Sequence, residues 1–186
     1  MEKQVFIILA EGFEEIEAVA PADILKRLGC SVMLVGLNSR TVSGAHGIRV
    51  EADSLLAETC FEQADAIVLP GGLPGATNLR DDAAVIELLR KQDRAGKICA
   101  AICAAPAVLE FAGIVRGRTV TGYPGCEKLS GSATLQFTGK PSERCENLVT
   151  GRGPGAAFDF GCELAAALGY SPEETGNLMK GMLVNA

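Results

Sequence analysis

The chain has no tryptophan, one histidine (His46), no Cys-x-x-Cys pair and no cluster of lysine and arginine. Its longest early apolar run, Val5–Ala10, is only six residues and is closed by Glu11. Each absence excludes something. Aromatic residues are 5% of the chain, so packing rests on Ala, Val, Ile and Leu. A lone histidine far from any cysteine pair offers no zinc spacing, so no metal is expected, and nothing points to another cofactor. Without a basic track, and with a net charge of −6 and a pI near 4.9, nucleic acid is a poor partner. A six-residue run is too short for a signal peptide or a membrane span. An uncleaved, soluble, cytoplasmic protein is the expectation.

What is present is an ordinary globular composition. The 186 residues suit one domain spanning 1–186. Hydrophobic residues at 48% and charged residues at 22% argue against disorder. The seven cysteines are Cys30, Cys60, Cys99, Cys103, Cys126, Cys145 and Cys162. An odd, scattered set without a secretion signal is no disulfide framework. Most of these thiols read as small apolar filler.

Strand and helix patterns alternate. Gln4–Leu9, Ser31–Gly36, Asp65–Pro70, Lys97–Ile102, Thr119–Thr121 and Asn147–Thr150 read as strands. Ser39–Glu51 reads as a hairpin or irregular excursion, turning near Gly44 and Gly47. Glu14–Leu28, Ala83–Arg94, Ala104–Ala112, Ala156–Leu168 and Pro172–Leu183 read as helices. In the first helix Ile16, Val19, Ala20 and Ile24 share one face, Pro21 should bend the axis, and Gly29 ends it. This alternation predicts a parallel sheet covered on both faces. Ligands of such sheets bind at the carboxyl ends of the strands. That selects the loops Ala10–Phe13, Gly71–Thr77, Ile102–Ala105, Gly122–Gly125 and Gly151–Gly155.

One of these loops carries a thiol. Cys103 stands where a strand turns sharply into a helix, among Ala101, Ala104 and Ala105, and a tight elbow needs small neighbours. Pro106 suits the first helical turn. Helix-end amides and the dipole would favour the thiolate and lower its pKa. The alternative is a buried cysteine in an Ala-rich corner. Cys99, four positions earlier inside the strand, should be inert. Glu17 falls at the edge of the first helix's apolar stripe, while Glu14 and Glu15 point towards solvent. A half-buried Glu17 would have a raised pKa and could donate a hydrogen bond to sulfur. The alternative is a solvated helix glutamate.

The segments Glu11-Gly12-Phe13-Glu14-Glu15-Ile16-Glu17, Leu69-Pro70-Gly71-Gly72, Ala100-Ala101-Ile102-Cys103-Ala104-Ala105-Pro106 and Arg152-Gly153-Pro154-Gly155 resemble the ThiJ/PfpI superfamily. The closest likeness is to the subgroup of the Parkinson-disease protein deglycase and its bacterial relative YajL. The likeness spans essentially the whole chain, with the motifs in family order. It implies a flavodoxin-like three-layer α/β/α sandwich with a mostly parallel sheet, and a homodimer paired near Ile16 of the first helix. It maps the reactive cysteine onto Cys103, the protonated glutamate onto Glu17, and the oxyanion amides onto Gly72 and Ala104. Gly71, Tyr123, Arg152, Pro154 and His46 would form the rim of the pocket. Two positions depart from the family. Many relatives carry a His where this chain has Tyr123, and branches with a Cys-His dyad carry a His where this chain has Ala104, so peptidase chemistry is not expected. His46 stands where relatives place an arginine that reaches towards the partner's site, and it suits a structural or dimer-contact role.

The resemblance implies cysteine-dependent detoxification of small aldehydes or dicarbonyls, or of glycated proteins, of the glyoxalase and deglycase type, with a cysteine that oxidises to a sulfinate. The alternative is a redox-regulated chaperone or sensor without significant catalysis.

Overall fold

The computed structural model describes residues 2–184. Strands β1 (Gln4–Leu9), β2 (Ser31–Gly36), β5 (Ser54–Leu55), β6 (Ala66–Leu69), β7 (Ile98–Ile102), β8 (Ser142–Cys145) and β9 (Leu148–Gly151) form one sheet in the order β5-β2-β1-β6-β7-β9-β8. All neighbours are parallel except β8, which runs antiparallel to β9. A separate antiparallel hairpin joins β3 (Thr41–Ser43) to β4 (Arg49–Glu51), as the glycine positions predicted.

The central strands are apolar along their whole length because both faces are covered. In β6 every residue is buried, and from Cys99 onward so is β7. Helices are α1 (Glu15–Arg27), α2 (Gly75–Asp81), α3 (Ala83–Arg94), α4 (Pro106–Phe111), α5 (Ala157–Ala167) and α6 (Pro172–Gly181). The chain steps from β1 outward to β2 through α1, and from β6 the other way to β7 through α3. Right-handed crossovers in opposite directions put those helices on opposite faces. Helix α1 packs on α5, and α2 touches α3 and α4. The result is the mostly parallel three-layer sandwich expected. The order reverses between β1 and β6, and there the loops after β1, β6 and β7 converge.

Several expectations are corrected, and some elements went unforeseen. Thr119–Thr121 forms no strand, and Val120 makes only an isolated bridge to Phe137. Strands β5 and β8 and helix α2 carried no clear pattern. The largest correction concerns α1. Ile16 is 52% and Val19 49% exposed, while Glu15, Glu17, Ala18, Pro21, Ala22, Ile24 and Leu25 are buried. The inward face is therefore rotated from the apolar stripe, and Glu15 does not point to solvent as its position suggested. Pro21 sits inside a helix that runs unbroken to Arg27. The helix stops at Leu28, with Gly29 in the left-handed region at φ 86°.

Candidate functional site

The site is assembled by three loops at the switch point. Strand β7 ends at Ile102, and Cys103 turns the chain with φ 65°, in the left-handed region that side chains rarely adopt. Its N–H donates to the Gly151 carbonyl at 2.9 Å, and its carbonyl accepts from Tyr123 N–H at 2.8 Å. Both bonds hold the elbow in this unfavourable conformation. The cysteine is 8% exposed, so the thiol is buried but reachable.

Glu17 has no exposed surface. Its Oε2 accepts from the Gly71 N–H at 2.8 Å. Its Oε1 is buried without a hydrogen-bond partner among the described residues, and the carboxyl interacts with the Cys103 thiol. Gly71 is what lets the two meet. A Cβ there would lie 2.6 Å from Cys103 Cβ, 2.7 Å from Glu17 Oε2 and 2.8 Å from the Ile102 carbonyl. Gly72, at φ 82°, turns the same loop, and a Cβ on it would meet the Glu14 nitrogen and the Gly12 carbonyl oxygen, both at 2.5 Å. The Gly72 amide faces the Cys103 sulfur. Neither the Gly72 nor the Ala104 N–H donates to a backbone carbonyl among the described residues.

The electrostatics agree with one half of the sequence expectation and correct the other. Burial pushes the Glu17 carboxyl up to about 7, against the opposing pull of Cys103 and the Gly71 amide. The thiol of Cys103 is also raised, first by burial and then by the Glu17 charge, with the Gly72 amide only partly opposing. The helix-end reading predicted a lowered thiol. It fails because α4 begins at Pro106, beyond the corner, while burial and the carboxyl act directly on the sulfur. The repulsion exists only while Glu17 is ionised. Once protonated, the same carboxyl becomes a hydrogen-bond donor to the sulfur. Cys99 is fully buried in β7, its thiol directed at the Leu89 carbonyl at 3.7 Å and pushed up to about 12 by burial, as an inert neighbour should be.

A cavity of about 570 Å3 opens over Cys103, lined by Glu14, Glu15, Ile16, His46, Ile48, Tyr123 and Pro154. Arg152 lies outside it. That residue lines an adjacent cavity of about 680 Å3, which shares Tyr123 and Pro154 with the first. Gly71 is buried beneath Cys103 instead of standing at the rim. Tyr123 is half exposed, and its ring lies against Gly153.

The wall that sequence reasoning missed is Glu15. Its Oε1 accepts from the N–H groups of His46 at 2.8 Å and Ile48 at 3.3 Å, and its Oε2 meets His46 Nδ1 at 2.9 Å. Burial acts to raise Glu15, but these bonds outweigh it and hold the carboxyl below its ordinary value. His46 is raised in turn, chiefly by the Glu15 bond. Glu14, Glu15 and His46 bring possible ligand atoms within 4.8 Å of one another. The bonds among them account for that cluster without an ion. One signal for Glu15 was available. Gly44 has no room for a Cβ, which would lie 2.3 Å from the Glu15 carboxyl, so the hairpin glycine leaves the space that the carboxyl fills.

The chain is similar to known proteins over nearly its whole length. The model of the DJ-1/PfpI family matches residues 3–167. The chain is 36% identical over 185 residues to protein dj-1beta of Drosophila melanogaster, covering 99% of this chain and 98% of that protein. It is 35% identical over 180 residues to the glutathione-independent glyoxalase DJR-1.2 of Caenorhabditis elegans, covering 96% and 95%. The solved structure of oxidized Toxoplasma gondii DJ-1 superposes with a TM-score of 0.90 at 32% identity, covering 97% of this chain and 98% of that one. No helix among the described residues is long and apolar enough to cross a membrane.

Proposed function

The chain belongs to the DJ-1/PfpI family, and on that premise we propose that it is a cofactor-independent cysteine enzyme that detoxifies reactive dicarbonyls, of the glyoxalase and protein-deglycase type. The observation that carries the proposal is the buried Glu17 carboxyl, held by the Gly71 amide through one oxygen, unpartnered at the other, and interacting with the Cys103 thiol. The glyoxalase name of the nematode relative supports the reaction class. One continuous core running from Val5 to Leu168 supports a single domain over 1–186.

The chemistry follows from the proton states. With a pKa of about 7, Glu17 both accepts and returns a proton near neutrality. Its carboxylate takes the thiol proton as the Cys103 sulfur adds to the aldehyde carbon of methylglyoxal, so no standing thiolate is needed. The amides of Gly72 and Ala104 hold the developing oxyanion. Glu17 returns that proton to the oxyanion, giving the hemithioacetal, and then carries a proton from the former aldehyde carbon to the ketone carbon through an enediol, leaving a lactoyl thioester. Water hydrolyses the thioester, so methylglyoxal and one water become lactate and the thiol is restored. Glycated proteins would enter through the same carbonyl step. Exposed Ile16 and Ile48 line the cavity, and with exposed Val19 of the same helix α1 as Ile16 they suit a homodimer contact.

Methylglyoxal turnover of wild type, Cys103→Ser and Glu17→Gln tests this reading. Loss in both variants is expected, and equal turnover in all three refutes it. Oxidation of Cys103 is a second reading, favoured by its slight exposure and a carboxyl able to donate to an oxidised sulfur. Mild peroxide followed by peptide mass spectrometry should find the first oxidation at Cys103. An even spread over the seven cysteines would remove its privilege.

A further inference from the structure

The turn that carries Cys126 is tied to Cys103 by two backbone hydrogen bonds in series. Tyr123 N–H donates to the Cys103 carbonyl at 2.8 Å, and Cys126 N–H donates to the Tyr123 carbonyl at 3.0 Å. Cys126 then opens the short helical turn Cys126–Ser130, which packs beside α4, the helix that follows Cys103. Gly125 at φ 92° and Gly131 at φ 71° bracket that turn, and each has open space where a Cβ would sit. Glycine at either end leaves those two backbone positions free to change torsion without a side-chain clash. Cys126 is partly buried, and it is the cysteine whose charge bears on Cys103. It also feels Glu17.

The other thiols are placed elsewhere. Cys30 meets the Tyr170 hydroxyl at 3.3 Å, and Cys99 is sealed in β7. Cys145 lies on the edge strand β8, and Cys162 on α5. Cys60 is exposed after the turn Leu56–Glu58.

We propose that Cys126 is the resolving thiol of Cys103, closing a Cys103–Cys126 disulfide when a hydroperoxide oxidises the site. In the first step the Cys103 sulfur attacks a peroxide oxygen and the O–O bond breaks. One hydroxyl stays on the sulfur as the sulfenic acid, and the other leaves as water with the Cys103 proton. In the second step the Cys126 thiol gives up its proton as its sulfur attacks the Cys103 sulfur and the S–O bond breaks. The hydroxyl leaves as a second water, taking the Cys126 proton. Two thiols are oxidised to a disulfide, and one peroxide is reduced to two waters. A disulfide wants Cα atoms roughly 4.4–6.8 Å apart, and the glycine-bracketed turn supplies the closing movement. The bond diverts Cys103 from the sulfinic acid, which thiols do not reverse. It also blocks the sulfur that the proposed dicarbonyl reaction uses.

The test treats the reduced full-length protein with limiting hydrogen peroxide, alkylates the remaining thiols, and maps peptides without reduction. Wild type should lose two thiols per chain to a Cys103–Cys126 cross-linked peptide that dithiothreitol reverses. Cys126→Ser and Cys126→Ala should form no cross-link and should accumulate several-fold more Cys103 sulfinate. The proposal is overturned if wild type gives no such peptide, if sulfinate yield is equal with and without Cys126, or if Cys103 links instead to another cysteine or a second chain. Having both variants guards against one that misfolds. Under reductant both should keep wild-type dicarbonyl turnover. The disulfide rests on oxidation alone, so absence of turnover in every protein would refute the enzymatic reading and leave this test standing.

Discussion

Replacing Glu17 by glutamine should stabilise the protein at alkaline pH while removing its activity. The carboxyl is wholly buried, and burial raises its pKa from 4.5 to about 7. Between those values the folded chain holds a proton that the unfolded chain has released. Stability therefore falls as pH rises through this window, the reverse of the usual carboxylate, and the loss is complete above about 7. At 1.36 kcal/mol per pH unit the difference is about 3 kcal/mol. Glutamine is neutral at every pH, keeps an oxygen for the Gly71 amide, and presents an NH2 to the Cys103 sulfur. It avoids the cost of the buried charge. Urea unfolding at pH 5 and pH 8 measures this. The wild type should lose about 2–3 kcal/mol between the two relative to the variant, and the variant should be the more stable at pH 8. Turnover of methylglyoxal should fall at least about 100-fold, because no group remains to carry the proton. A variant no more stable than wild type at pH 8, with parallel pH profiles, would refute the buried-charge reasoning whatever the activity.

Gly71→Ala adds no left-handed strain at its own φ, and its methyl forces Cys103, the Glu17 carboxyl and the Ile102 carbonyl apart. Turnover should drop about 100-fold at a stability cost of about 1–3 kcal/mol, and steady-state kinetics with urea unfolding would expose an unchanged kcat as a contradiction. Gly44→Ala drives a methyl into the Glu15 carboxyl and should break its bond to His46. The His46 pKa should then fall towards its ordinary value in a proton NMR titration, and a pKa that stays raised would show that Glu15 is not its cause. Cys99→Ala should leave turnover and the peroxide reactivity of Cys103 unchanged, since its thiol is sealed in β7. A loss of either would mean that Cys99 is not the inert neighbour.

Most of the sandwich was legible because strands such as Ala66–Leu69 and helices such as Ala83–Arg94 announce themselves by local pattern. The elbow at Cys103 was legible for the same reason, since small residues and Pro106 mark a tight strand-to-helix corner. Helix α1 shows where local pattern stops. Its apolar stripe places Ile16 and Val19 inward, yet two glutamates take the interior instead. They are tolerated there because amides distant in sequence replace water: Gly71 for Glu17, and His46 and Ile48 for Glu15. No window of adjacent residues contains those donors. The proton state of the thiol was hidden for a related reason. A helix-end argument sees only the amides next to Cys103, whereas its pKa is set first by burial and then by a carboxyl brought from α1 across the β1–β6 switch point. The residues of the site could therefore be named from motifs, but their charges depend on tertiary convergence. In the proposed reaction that convergence is also what would make a thiol with a raised pKa usable, because the group that suppresses its ionisation is the one that would take its proton.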